Sequence, residues 1–314
     1  MFTMQMQELA LILTGAAFWA RQAWQEGSLV TVQNLETRST ETMDWRNLLD
    51  EEIDSHLMER IKERLGVERF LTEEGAKIPE RNQVGGKRAV LDSLDGSSNL
   101  ATYRPDFGIS AAIEKEGRPV LGGIVTPIRG ELLVAAPSEG VHFFSCYGRA
   151  LEEVLWMIKD GKTDKVTTQS FAIPQKKEMD SPLKTARIYV HTGKRRNFEL
   201  LPTDPWNTLY AKLANPGCSF SCTVALVEVA LGKLDAAAVA YQNYWDFAAG
   251  RLLVQEAGGT FEAWDRCFKG QLTDSDMALA NAAKTPKGDE WLCHILAGGT
   301  PEIVIALREH FLSV

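Results

Sequence analysis

Apolar residues recur along the chain with two different periods, and the changes of period divide it into elements. Leu9, Ile12, Leu13, Ala16, Ala20 and Ala23 return every three or four positions and predict an amphipathic helix over residues 5–26, stopped by Gly27. Leu48, Leu49, Ile53, Leu57, Ile61 and Leu65 line one face of a second helix over 45–65, with Asp44 as its cap and Gly66 at its end. The polar, weakly periodic stretch 28–42 between them reads as a loop or short hairpin. Phe70-Leu71 reads as a short buried strand with Thr72-Glu73-Glu74-Gly75 as its exit, and Ala89-Val90-Leu91 as the end of another. From residue 107 the period becomes two. Segments 107–113, 120–125, 131–135 and 141–144 are separated by Gly117-Arg118-Pro119 and by the Pro127–Gly130 turn, the pattern of an antiparallel meander.

The second half alternates differently. Residues 150–185 are mixed and mark the join between two lobes. A strand over 186–190 is followed by a helix over 197–213, interrupted by Pro202 and Pro205. A helix over 222–231 closes at Gly232, and a strand spans 236–241. A helix over 246–257 ends at Gly258-Gly259, and a short strand over 277–280 precedes a final helix over 301–312 with Pro301 at its start. The element order predicts an α+β layer arrangement, with an N-terminal lobe over 1–185 and a C-terminal α/β lobe over 186–314.

Composition narrows the class of function. The 314 residues are 45% hydrophobic and 24% charged, ordinary values for a globular enzyme of one large or two closely packed domains. A net charge of −8 leaves no basic excess to neutralise phosphates, so neither nucleic acid nor a membrane surface is the expected partner. The five cysteines are odd in number, scattered and without a C-x-x-C pair, which argues against a disulfide framework or a zinc site and for a reducing, cytoplasmic setting. No run approaches the roughly 20 apolar residues that span a bilayer.

The chemistry gathers at Asp92-Ser93-Leu94-Asp95-Gly96-Ser97-Ser98-Asn99. Two carboxylates three residues apart follow an apolar run, and the sequence reads as a turn leaving a buried strand. Oxygen ligands, a flexible glycine and hydroxyl donors then meet at one sheet edge, which suits a hard cation such as Mg²⁺ shared with a substrate phosphate. Asp-Gly and Gly-Ser are also ordinary turn dipeptides. The alternating acidic pattern of an EF-hand is missing, and the spacing is D-x-x-D rather than the D-x-D of aspartyl-phosphate enzymes. Asp50 and Asp54, one helical turn apart, read as solvated helix carboxylates, Asp54 above all. Asp246 reads as a helix N-cap.

Taken with Trp245-Asp246-Phe247-Ala248-Ala249-Gly250 and the Glu256-Ala257-Gly258-Gly259 that ends the same helix, the acidic turn resembles the inositol monophosphatase family. Its two signatures read D-P-[IL]-D-G-[ST]-[ST]-N and W-D-x-A-A-G-x-x-[IL]-[VL]-x-E-A-G-G, and Thr72-Glu73-Glu74 resembles its G-E-E. The resemblance implies a layered αβαβα sandwich of the inositol monophosphatase and fructose-1,6-bisphosphatase type. It implies a lithium-sensitive, Mg²⁺-dependent phosphomonoesterase, with two or three ions per site, that attacks a small phosphorylated metabolite directly with water; homodimers are common. On this resemblance Glu73, Asp92, Asp95, Asp246 and the Leu94 carbonyl hold metal, and Asp50 falls near the most weakly held ion. Gly96, Ser97 and Ser98 hold the phosphate, while Glu73, Ser97 and Asp95 are the catalytic set.

Three positions depart from the pattern. Ser93 replaces a proline, with little expected beyond turn rigidity. Phe220-Ser221-Cys222 replaces Gly-Ser-Ala on the substrate side, and Val239 stands where inositol-specific members carry a glutamate that binds substrate hydroxyls. A valine accepts no hydrogen bond, so discrimination for inositol is expected to be lost. The alternatives are a fructose-1,6-bisphosphatase activity, with Arg104, Lys194, Arg195 or Arg196 reaching a second phosphate, and a non-catalytic metal- or metabolite-binding relative.

Overall fold

A computed structural model describes residues 2–26, 48–73, 87–172, 182–192, 205–213, 215–265, 268–276 and 293–313. Both predicted N-terminal stripes are buried. Helices α1 (Met4–Glu26) and α2 (Leu48–Leu65) send Met6, Leu9, Leu13 and Ala16, and Ile53, Leu57 and Ile61, into one core.

That core lies on one face of a seven-stranded sheet. The sheet runs in sequence order through β1 (Phe70–Thr72), β2 (Lys87–Asp95), β3 (Gly108–Lys115), β4 (Arg118–Thr126), β5 (Glu131–Ala136), β6 (Gly140–Ser145) and β7 (Asp164–Val166). β1 pairs parallel with β2, and every later pair is antiparallel, as the meander pattern predicts. A short helix α3 (Ser97–Ala101) follows β2, and α4 (Leu151–Lys159) joins the first core through Val154 and Ile158. Period two puts Ala89 and Leu91 of β2 into this core and Val90 into the next.

The second sheet has the order β11 (Thr260–Trp264), β12 (Cys293–Gly298), β10 (Ala236–Gln242), β8 (Arg187–His191), β9 (Asn215–Gly217). Between the sheets lie α7 (Cys222–Leu231) and α8 (Tyr244–Glu256), which share a core with inward residues of both. Every residue of α7 except Glu228 is buried, as a helix enclosed on all sides requires. On the outer face of the second sheet, α5 (Pro182–Thr185), α6 (Pro205–Lys212) and α9 (Pro301–Leu312) enclose a third core with Ile188, Ala238 and Leu296. The result is five layers, αβαβα.

Gly122 and Gly123 set the spacing of the first three layers. A Cβ on Gly123 would sit 2.6 Å from a methyl of Leu13 in α1, and one on Gly122 only 3.3–3.4 Å from Leu252 and Ala249 in α8. Two adjacent glycines therefore let helices approach both faces of β4.

Several boundaries differ from the sequence pattern. Residues 150–185 hold α4 and β7, the strand that ends the first sheet. β11 and β12 have no counterpart in the prediction, because Cys293–Gly298 is buried at all six positions and shows no alternation. β9 contains Pro216 and is tolerated as an edge strand. The predictions over 28–42 and 277–280, the Asp44 cap, Glu74 and the Lys194–Arg196 triplet lie outside the described residues. Among the described residues, no helix is long and apolar enough to cross a membrane.

Candidate active site

The two aspartates of the acidic segment do not sit in a turn. Both belong to β2, which runs on to Asp95. Asp92 pairs with Ser110 and Asp95 with Gly108, so three steps on β2 oppose two on β3, which is a β-bulge. The extra residue reverses the alternation: Leu91 and Leu94, of opposite parity, both enter the first core. Asp95 is thereby turned to the same side as Asp92, toward α7 and α8. Its Oδ2 accepts from Ser221 Oγ at 2.7 Å and from the Thr223 amide, both at the start of α7.

Three elements bring carboxylates to this edge. Glu73 follows β1, Asp92 lies in β2, and Asp246 lies in the first turn of α8, with one carboxylate oxygen from each within 4.8 Å of the others. Glu73 is exposed, Asp246 half-buried and Asp92 fully buried. Among the described residues this is the one group of three such side chains close enough to hold a cation. Asp92 Oδ1 accepts from the Leu94 amide at 3.1 Å, and its buried Oδ2 has no hydrogen-bond partner. Burial pushes the Asp92 carboxyl well above its usual range, and the charges of Glu73, Asp95, Asp246 and Asp50 push it further. An all-oxygen donor set, an orphaned buried carboxylate oxygen and this excess of negative charge fit a divalent hard cation.

Asp246 is not the N-cap. Asn243 occupies that position, and Asp246, three residues on, accepts its backbone N–H at 2.6 Å. Thr223 Oγ1 reaches the Asp246 carbonyl at 3.4 Å, joining α7 to α8 behind the carboxylates. Asp54 is not solvated either: it is 6% exposed and accepts from Thr72 Oγ1 at 3.1 Å. Asp50 is equally buried and accepts from Ser93 Oγ at 2.9 Å. Ser93 thus does more than relax a turn; it fixes the Asp50 carboxylate, a bond no proline could make.

Gly96 is in the left-handed region at φ 92°, and a Cβ there would lie 2.9 Å from the Asp106 carbonyl. It opens α3, with Ser97 half-buried and Ser98 exposed. Pattern reasoning overlooked Asn99, although it sits inside the motif. Its buried amide donates to the Asp106 carbonyl at 2.5 Å and to the Ser219 carbonyl, so it ties the loop after α3 to the segment before α7. Arg129 holds Asp106 from the other side, at 2.6 Å, and also pairs with Glu228 of α7.

The substrate-side expectations fare unevenly. Ser221 caps α7 by accepting the Val224 amide, as well as donating to Asp95. Cys222 is 2% exposed, and burial followed by the Asp95 and Asp246 charges pushes its thiol well up, so it stays a protonated, inert thiol. Val239 is fully buried in the middle core and offers a ligand no surface. Phe220 does, being half-exposed beside Ser221. Arg104 lies over the Phe220 ring, its Cζ 5.7 Å from the centroid.

The profile of the inositol monophosphatase family matches residues 5–298, and the chain belongs to that family. The chain is 25% identical over 250 residues to the Nus factor SuhB of Escherichia coli K12, covering 76% of this chain and 81% of that one. It is likewise 25% identical over 247 residues to the inositol-1-monophosphatase of Bacillus subtilis, covering 77% and 82%. Solved structures of the extragenic suppressor protein suhB from Bartonella henselae (TM-score 0.67, 20% identity, 98% of both chains) and of an inositol monophosphatase from Anabaena (TM-score 0.65, 21% identity, 96% and 94%) share the fold. Family membership supports a phosphatase-type, metal-dependent function.

Proposed function

We propose that this protein is a Mg²⁺-dependent phosphomonoesterase that hydrolyses a small phosphorylated metabolite by direct attack of water. The observation that carries this reading is the convergence of Glu73 and Asp246 on Asp92, whose Oδ2 is buried without a partner. A phosphomonoester dianion repels both this acidic edge and any nucleophile. Divalent cations bound here supply the charge that neutralises the dianion, acidify water and stabilise the leaving alkoxide.

The chain's own residues divide the remaining work. Glu73, Asp92 and Asp246 hold the cations; Asp95, outside that group of three and held by Ser221 and Thr223, and the Leu94 carbonyl complete the set as the family resemblance implies, with Asp50 held by Ser93. Glu73, the exposed member, takes the proton of the attacking water, and the Ser97 hydroxyl orients that water. The left-handed Gly96 turn directs backbone N–H groups and the Ser97 and Ser98 hydroxyls toward the phosphate. Water attacks directly, so no side chain forms a phosphoenzyme.

Phosphate release from a panel of inositol, sugar, bisphosphate and nucleotide monoesters, with and without Mg²⁺ and with added Li⁺, tests the reading. Mg²⁺-dependent, Li⁺-inhibited release is the expected result. Metal binding without release from any ester would instead assign a binding protein that retains the acidic centre.

A further inference from the structure

Phe220 carries two costs that the phosphate chemistry does not explain. Its backbone is in the left-handed region at φ 57°, where a bulky side chain is strained. Its ring is 49% exposed and belongs to none of the three cores, so the strain is not repaid by burial. The flanking residues anchor this strained position to the acidic edge. The Ser219 carbonyl accepts the Asn99 amide, and the Ser221 hydroxyl donates to Asp95. The exposed ring therefore stands one residue from Ser221, which contacts Asp95.

Two further planar groups converge on it. The guanidinium carbon of exposed Arg104 lies 5.7 Å from the ring centroid. The half-buried His191 ring stands edge-on, centroids 5.9 Å apart at 87°. The three come from the loop after α3, the end of β8 and the segment before α7. Aromatic faces and guanidinium planes stack on flat π systems, a contact that an open polyol does not make even where it accepts a guanidinium N–H. Val239, sealed in the core, supplies no hydroxyl partner nearby.

We infer that Phe220, Arg104 and His191 form a subsite for the alcohol portion of the phosphomonoester, selecting alcohols that carry a flat π ring, an arene or a nucleobase, over polyols. The inference rests on the phosphomonoesterase reading above and names its substrate class.

The test uses the full chain with Mg²⁺ and two non-hydrolysable ligands, 3-phenylpropylphosphonate and 3-cyclohexylpropylphosphonate. They differ in planarity and π character at similar apolar size. Titration calorimetry is expected to show the phenyl compound binding about fivefold tighter. The ratio should fall to about one in Phe220→Gly, a change that relieves the positive φ and so preserves the fold, and persist in Phe220→Tyr. Equal affinities in the wild type, no binding of the phenyl compound, or an undiminished ratio in Phe220→Gly overturns the subsite. A nucleoside 5′-methylphosphonate titrated in parallel separates the two sources: tighter binding than the phenyl compound, lost in Phe220→Gly, assigns a nucleobase, and weaker binding an arene. Wild-type Mg²⁺-dependent phosphate release is measured alongside on the ester panel named above, with phenyl phosphate added. Release from none of these esters overturns the phosphatase reading, while the calorimetric ratio still decides the subsite.

Discussion

Ser93 Oγ donates to Asp50 Oδ1 at 2.9 Å, linking the strand that carries Asp92 to the helix beneath it. Both residues are buried, so the bond serves a carboxylate with little access to water. Ser93→Ala is expected to cost about 1.5–3 kcal/mol, the range for hydrogen bonds to charged groups. It should appear as a lower urea midpoint with an unchanged slope. An unchanged midpoint would remove Ser93 from any role at the acidic edge.

The Asp92 carboxyl, raised by burial and by its acidic neighbours, makes the metal-free protein sensitive to pH. A folded-state pKa above the unfolded value means that the native state holds the proton more tightly. That stabilisation is fully present below the unfolded carboxylate value of about 4 and is lost as pH rises through the raised one. Thermal unfolding without metal should therefore show Asp92→Asn gaining on the wild type as pH increases from about 4. Added Mg²⁺ should raise the wild-type Tm and leave Asp92→Asn nearly unmoved. Parallel pH profiles for the two proteins would contradict this.

Asp246→Asn preserves an acceptor for the Asn243 N–H, so the start of α8 should survive within about 1 kcal/mol. The charge is lost, and with it several kcal/mol of transition-state stabilisation, or about 10³-fold in kcat. Asp95→Asn should lose activity comparably. Circular dichroism and phosphate release, measured on the same preparations, separate the two effects. Either variant retaining most of its Mg²⁺-dependent turnover would refute the assigned roles.

Gly96→Ala combines a left-handed φ with a Cβ 2.9 Å from a backbone carbonyl. The loop through Asp106 and the start of α3 must separate, at about 1–3 kcal/mol. Activity should drop more steeply than stability, because the displaced turn carries the phosphate-facing groups. A variant as active as the wild type would place the phosphate elsewhere.

Much of this protein is legible from local pattern. The stripes of α1 and α2 and the meander β3–β6 stand where periodicity puts them, since each pattern states which face is apolar; α7, apolar almost throughout, is marked instead by its length and by the Gly232 that closes it. The misses share a different origin. β12 is apolar at every position because both its faces are covered, and a uniform run has no period. The Asp92–Asp95 segment reads as a turn because Asp-Gly-Ser is turn chemistry; the ladder with β3 holds it in a strand. Asp54 reads as solvated because charged helix residues usually are, and the Thr72 hydroxyl that meets it lies in another element.

By itself, the sequence determined most of the element order and the acidic motifs, which are written in short-range spacing, while the five-layer fold came as what the resemblance of those motifs to the family implies. Tertiary structure decided which of the carboxylates named by that resemblance come together. Glu73, Asp92 and Asp246 converge from two strands and a helix, and a one-residue bulge aims Asp95 to join their side. It also decided that Val239 is sealed in the core while Phe220 stands strained and exposed. The reason is physical: periodicity encodes whether a face is buried, whereas the energy of a buried charge or a strained backbone depends on neighbours contributed by distant parts of the chain.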